Sequence, residues 1–242
     1  TVAVHLADHL QSRKSRVRKD PGNSVALVDL DLQFGTVGDF VDVPPQHAMY
    51  QMAAGGLIPD AAWVDQSLTE TEGGLNVLLS PYEFVPLDSV TTGQIESLVD
   101  ILRFNQDFVV FDLPRALVDW VQPVVEVADL LVVVTDTTVP SIHSASRLID
   151  FYRGENPNLE VEVVINKEKR PLVQAPHHKE AAKALDLKFE YWLPNDPKAA
   201  RTAIDYGKPL SEVAGRSELN KGITALAKGL VKRMSTTERA TV

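Results

Sequence analysis

Residues 24–40 read SVALVDLDLQFGTVGDF. Val25, Ala26, Leu27 and Val28 form an apolar run without polar alternation, the mark of a strand buried on both faces of a parallel sheet. The run ends on Asp29, skips Leu30 and reaches Asp31. A carboxylate at the end of a buried strand must be met by hydrogen-bond donors or by a cation. Two of them within three residues predict a prepared site.

Working outward, similar runs recur. Strands are expected at GLNVLLSP (74–81), DFVVFDLP (107–114), DLLVVVTD (129–136), EVEVVINK (160–167) and KFEYWLP (188–194). Helical spacing appears in VAVHLADHL, which opens the sequence directly. It appears again at 91–105, where Ile95, Leu98, Val99 and Leu102 share a face, in WVQPVVEVA, and at 140–154, closed by Gly154. HKEAAKALD, 196–207 (Pro197 near its start, Gly207 past its end) and 217–234 complete the set. Strands alternating with helices predict an α/β fold with a mainly parallel, twisted sheet flanked by helices. No linker separates domains, so 1–234 is read as one domain and 235–242 as a disordered tail.

With 242 residues and 44% apolar side chains, the chain can bury a core without covalent staples. It has no cysteine, which excludes disulfides and thiolate-held clusters and fits a reducing cytoplasm. The net charge of -9 argues against a broad nucleic-acid-binding face. RKSRVRK (13–19) is the one dense basic stretch and reads as a helix end and loop. No apolar run approaches the ~20 residues of a spanning helix, and no signal peptide is visible.

In open parallel sheets ligands bind at the carboxyl ends of strands. Asp29 and Asp31, Asp112 after FVVF, and Asp136 after LLVVVT fall there. An apolar strand closed by Asp is a Walker B pattern, whose carboxylate orders Mg2+ beside nucleotide phosphates. The same Asp can instead cap the helix that follows.

The order Asp29-Leu30-Asp31, Asp112-Leu113-Pro114, Asn166 ending VVIN, and LPNDP at 193–197 resembles the MinD/ParA group of P-loop ATPases. Residues 111–153 and 192–213 look like its CpaE/TadZ branch, the MinD-like proteins of tight-adherence (Flp-type) pilus assembly. The resemblance implies ATP and Mg2+ as cofactors. It implies that Asp31 orients the attacking water, that Asp112 and Asp29 lie at the metal, and that Asn166 meets the adenine edge. Pro194, Asn195 and Asp196 would pack beside the adenine ring. It further implies a homodimer, partners in the pilus machinery, and a cytoplasmic protein, at the inner face of the membrane or at a cell pole.

One departure stands out. The family opens with a strand and a KGGxGK[ST] phosphate loop, and no such loop is found. Gly55-Gly56 and Gly73-Gly74 lack the following Lys-Ser/Thr. Thr1–Val4 looks like the first turn of the helix after that loop, so the first strand and loop are expected to be missing from this chain. The function therefore stands between a nucleotide-dependent dimer switch and a non-hydrolysing scaffold or localisation hub of the same fold.

Other residues carry plainer readings. His177-His178 is read as a solvated loop pair whose rings point apart, without carboxylates at ligand spacing. Ser141 and Ser144 suit a helix start, and Trp120 and Trp192 suit packing. Arg115 is either a phosphate or partner-subunit contact, or one half of a surface salt bridge. The terminal helix carries Ile223, Leu226, Leu230, Val231 and Met234 on one face, either packed on the sheet or touching a membrane beside its basic residues.

Overall fold

The computed structural model describes residues 2–11 and 22–240, so the basic stretch 13–19 lies outside the described residues. In chain order the elements are α1 (Val2–Leu10), β1 (Val25–Asp29), α2 (Val37–Val41), α3 (Ala48–Gly55), α4 (Ala61–Ser67), β2 (Thr69–Glu70), β3 (Asn76–Leu78), α5 (Thr92–Asn105) and β4 (Phe108–Asp112). There follow α6 (Gln122–Val127), β5 (Leu130–Thr135), α7 (Val139–Glu155), β6 (Glu160–Asn166), α8 (Pro176–Leu185), β7 (Tyr191–Leu193), α9 (Pro197–Tyr206), α10 (Leu210–Val213) and α11 (Glu218–Ala240). They condense into two compact units, one of residues 1–124 and 200–214, the other of 125–199 and 215–242.

The first unit holds a four-stranded sheet in the order β2-β3-β1-β4. β1 lies parallel to both β3 and β4, and β2 pairs antiparallel with β3. Every residue of β1 is buried, as its unbroken apolar run requires. Helix α1 packs on β1 and β4, and α5 packs on β4. Helix α5 presents Ile95, Leu98, Val99 and Leu102, all at most 1% exposed, to the core. Its start is fixed by a reciprocal pair in which Thr91 Oγ1 accepts the Gln94 N–H and Gln94 Oε1 accepts the Thr91 N–H. The Gln94 side-chain amide donates in turn to the carbonyls of Met52 and Leu57, which pins the end of α3.

The second unit holds the parallel sheet β5-β6-β7. On β6, Val161, Val163 and Ile165 join a core with Ile142, Ala145 and Ile149 of α7, Ala181 and Leu185 of α8, and Trp192. Helix α11 packs on β7. It comes close because Gly222 and Gly229 carry no side chain: a Cβ at Gly222 would lie 3.0 Å from Leu193 Cδ2, and one at Gly229 2.8 Å from Tyr191 Cζ. Arg233 of α11 meets Glu160 and Glu162 of β6 at 2.8 and 2.7 Å. The apolar face of α11 through Leu230 is thus spent inside its own unit, which favours the packed reading of that helix.

Among the described residues β4 pairs only with β1, and β5 only with β6, so each is an outer strand of its sheet. All five residues of β4 are half-buried, and Val134 of β5 is exposed.

Three boundaries differ from expectation. Helix α7 runs through Gly154 and ends at Asn156, whose side-chain amide donates to the Val125 carbonyl while its backbone carbonyl accepts from Leu159. A fixed turn there replaces the glycine stop. Helix α11 continues to Ala240, past the expected tail boundary at 235. The strand expected over 188–194 forms only over Tyr191–Leu193.

Candidate functional site

In the first unit the parallel register sets Asp29 directly opposite Asp112, both at the carboxyl end of the sheet. Asp29 is fully buried. Its Oδ1 accepts the Asp31 N–H at 3.1 Å, and its Oδ2 accepts the Val37 N–H at 3.1 Å and the Ser80 hydroxyl at 3.3 Å. Asp31 in turn accepts the Phe34 N–H on Oδ1, and its carbonyl accepts the Gly35 N–H. The segment 31–37 is therefore wound around the Asp29 carboxylate. Gly35 lies so close that a Cβ there would sit 2.5 Å from Asp29 Oδ2 and against the Ser80 hydroxyl.

Burial pushes the Asp29 carboxyl up to about 6; the facing Asp112 adds to the rise, while the Val37, Asp31 and Ser80 donors oppose it. Asp112 is also pushed up, first by burial; the amino-terminal charge opposes the rise and Asp31 adds to it. Among the described residues no donor reaches the Asp112 side chain. A half-buried carboxylate facing two more carboxylates, without a donor, fits a hard divalent cation. Asp29 fits one less well, since its oxygens already take three donors. The geometry makes Asp29 the anchor of the 31–37 segment and, among the described residues, leaves the Asp112 carboxylate and Oδ2 of Asp31 without a donor.

In the second unit Thr135, Asn166 and Leu193 end three parallel strands, with Asn166 in register with Leu193. Asn166 Oδ1 accepts the Lys167 N–H at 2.9 Å, and Lys167 adopts a left-handed φ of 63°. Pro194 is buried and Asn195 exposed. Asp196 Oδ1 accepts the Ala199 N–H, starting α9 with Pro197 as its first residue. Asp136 makes a local turn: its Oδ1 accepts the Thr138 hydroxyl at 2.6 Å and the Thr138 N–H at 2.9 Å, and these bonds hold its carboxyl below the usual range. These bonds form a turn that leads into α7, whose cap position is Thr138.

Several readings change. His177 and His178 lie in the first turn of α8, not in a loop, with ring centroids 4.0 Å apart, and His178 is 3% exposed. Glu168, which is distant in sequence, joins them so that one ligand atom from each lies within 4.8 Å of the others. The hydrogen bonds nevertheless disfavour a metal. Nδ1 of His178 accepts the Ala175 N–H, so the ring proton sits on Nε2 and points to Glu168 at 2.6 Å. Trp120 and Trp192 are packing residues, as expected, each donating its indole N–H to a main-chain carbonyl. Gly55 and Gly56 end α3, and Gly74 turns the chain between β2 and β3. Sequence reasoning missed Ser80, Gly35, Thr137 and Glu168; only Gly35, six residues past Asp29 in a non-helical segment, left a trace.

No family model matches the chain. It is 28% identical over 138 residues to a septum site-determining protein MinD of Emiliania huxleyi, covering 52% of this chain and 49% of that protein. It is 23% identical over 167 residues to MinD of Synechocystis sp., covering 69% and 61%. The chain thus spans about half to three fifths of the curated relatives it matches. Its fold is that of a ParA family ATPase from Chlorobium tepidum (TM-score 0.76, 21% identity, 93% of this chain and 90% of that one). It is equally that of the cell division ATPase MinD of Pyrococcus furiosus (0.75, 18%, 96% and 92%). A MinD of Pyrococcus horikoshii complexed with Mg-ADP matches at 0.72, with 15% identity over 95% and 87%. The α/β, mainly parallel architecture is therefore the MinD/ParA P-loop fold.

Proposed function

We propose that this chain is the body of a MinD/ParA-like ATPase that binds ATP with Mg2+. Its nucleotide-dependent dimer would place or assemble a tight-adherence pilus machine, at a cell pole or the inner face of the membrane. The observation that carries the nucleotide reading is Asp112, half-buried, without a hydrogen-bond donor among the described residues, and flanked by Asp29 and Asp31 at the end of parallel strands. In this reading Asp112 holds Mg2+, which would neutralise phosphate charge. Asp31 orients the attacking water, and Asp29 keeps the segment that presents Asp31 in place. Asn166 meets the adenine edge, with Pro194, Asn195 and Asp196 beside the ring. Phosphoryl transfer asks for positioning and charge more than covalent chemistry, which such a set can supply. The Mg-ADP held by the P. horikoshii relative supports the cofactor pair. The pilus role rests on the likeness of residues 111–153 and 192–213 to the CpaE/TadZ branch.

Calorimetry of the full-length protein with ATP, with and without Mg2+, tests the reading. Mg2+-dependent binding that Asp112→Asn abolishes is expected. Binding indifferent to Mg2+ and to Asp112 refutes it, and Mg2+-dependent binding without turnover turns the reading to the scaffold. Among the described residues no helix is long and apolar enough to cross a membrane.

A further inference from the structure

One hydrogen-bond chain in the second unit has no place in the reading above. The Ala175 N–H donates to Nδ1 of His178 at 3.1 Å. Nε2 of His178 donates to Oε1 of Glu168 at 2.6 Å, and the Thr137 hydroxyl donates to Oε2 of the same carboxylate at 3.1 Å. The His178 side chain is 4% exposed, so this end of the chain is shielded from water. Thr137 follows β5, Glu168 follows β6 and Ala175 precedes α8. The Glu168 main-chain N–H also donates to the Leu193 carbonyl at the end of β7, at 3.0 Å. One glutamate thus ties together four segments.

That glutamate sits two residues after Asn166. Lys167, between them, is held left-handed, a conformation unfavourable for a non-glycine residue that persists only where its surroundings impose it. In this conformation the Lys167 N–H reaches Asn166 Oδ1, which decides which end of the amide is oxygen and which is nitrogen.

We infer that Thr137, Glu168 and His178 are positioning residues that set a preference for adenine by fixing the Asn166 amide through the turn at Lys167. The inference rests on the proposed nucleotide reading. An amide presents an acceptor beside a donor. Adenine answers with a donor, N6–H, beside the acceptor N7, whereas guanine offers two acceptors, O6 and N7. The discrimination holds only while the amide is kept from rotating, and a bidentate pair is worth roughly ten-fold or more between bases.

The test is titration of the full-length protein with AMP and with GMP, followed through the side-chain amide resonance of Asn166. The wild type should favour AMP by about ten-fold or more. Thr137→Val and His178→Phe should bring the ratio near one, mostly by weakening AMP, and Thr137→Ser should restore it. Thr137 lies outside the unit's core cluster, so Thr137→Val decides the matter even where His178→Phe fails to fold. A loss of stability without a positioning role weakens both nucleotides alike and leaves the ratio intact, and that result overturns the inference. A wild type that binds AMP with a ratio the variants do not change also overturns it, while leaving the nucleotide reading in place. A wild type that binds neither nucleotide overturns both.

Discussion

His5 offers a perturbation whose size follows from its surroundings. It is fully buried in α1, its ring edge-on to Phe40 at 5.8 Å. Its Nδ1 accepts the Leu210 N–H at 3.3 Å, while its buried Nε2 finds no hydrogen-bond partner among the described residues. Burial, above all, lowers its pKa from 6.5 to about 3. A histidine lowered in this way binds fewer protons folded than unfolded. Its contribution is complete above pH 6.5 and is lost as pH falls from 6.5 toward 3. At 1.36 kcal/mol per unit, the fall from pH 6.5 to 4.5 removes about 2.7 kcal/mol. Asp29 works the other way: its carboxyl, raised to about 6, takes up a proton more readily in the folded state and recovers stability as the pH drops. The wild-type slope is therefore a compromise, and only its difference from a His5 variant isolates the histidine. His5→Gln keeps an acceptor for the Leu210 N–H and removes the titration. Hydrogen-exchange protection of the α1 amides, compared between pH 8 and pH 4.5, should fall by about 2.7 kcal/mol more in the wild type than in His5→Gln. Equal losses in the two proteins would refute the reasoning.

Other outcomes follow from the same contacts. Asp31→Ala should slow any ATP hydrolysis by roughly 10²–10⁴-fold if the carboxylate acts as a general base, while sparing nucleotide affinity; turnover measured beside calorimetry decides this, and unchanged turnover removes Asp31 from the mechanism. Gly35→Ala should push the Asp29 anchor aside, so the turnover expected under the proposed function should fall while hydrogen exchange in the β5-β6-β7 sheet stays unchanged. Gly229→Ala should drive α11 against Tyr191 and destabilise the second unit by about 1–3 kcal/mol, read from the β6 and β7 amides; no loss would mean that the helix can shift freely.

Long apolar runs were legible because burial on both faces leaves no other pattern: β1, β4, β5 and β6 lie where the sequence places them. Residues 37–70 were not, because α2, α3 and α4 are five to eight residues long, too short to show a helical period. The carboxylates of the first unit could be named from their strand ends, but the roles that separate Asp29 from Asp112 lie in donors from Val37 and Ser80, which only tertiary structure supplies. His178 was misread for the same reason. Adjacent histidines carry no sign that one will be buried, and its partner Glu168 is ten residues away.

The two outer strands have a consequence for handling the protein. An unpaired strand edge invites pairing with other chains, and short apolar segments without charge are the usual seeds of aggregates. FVVF in β4 lies between Asp107 and Asp112, and LLVVVT in β5 between Asp129 and Asp136. Among the described residues each outer strand is thus bracketed by aspartates, charges that oppose pairing with another chain. Asp112 thereby carries a second duty, unrelated to any ligand. A substitution that removes its charge also removes one of the two guards on β4, so the Asp112→Asn protein should precipitate at lower concentration than the wild type.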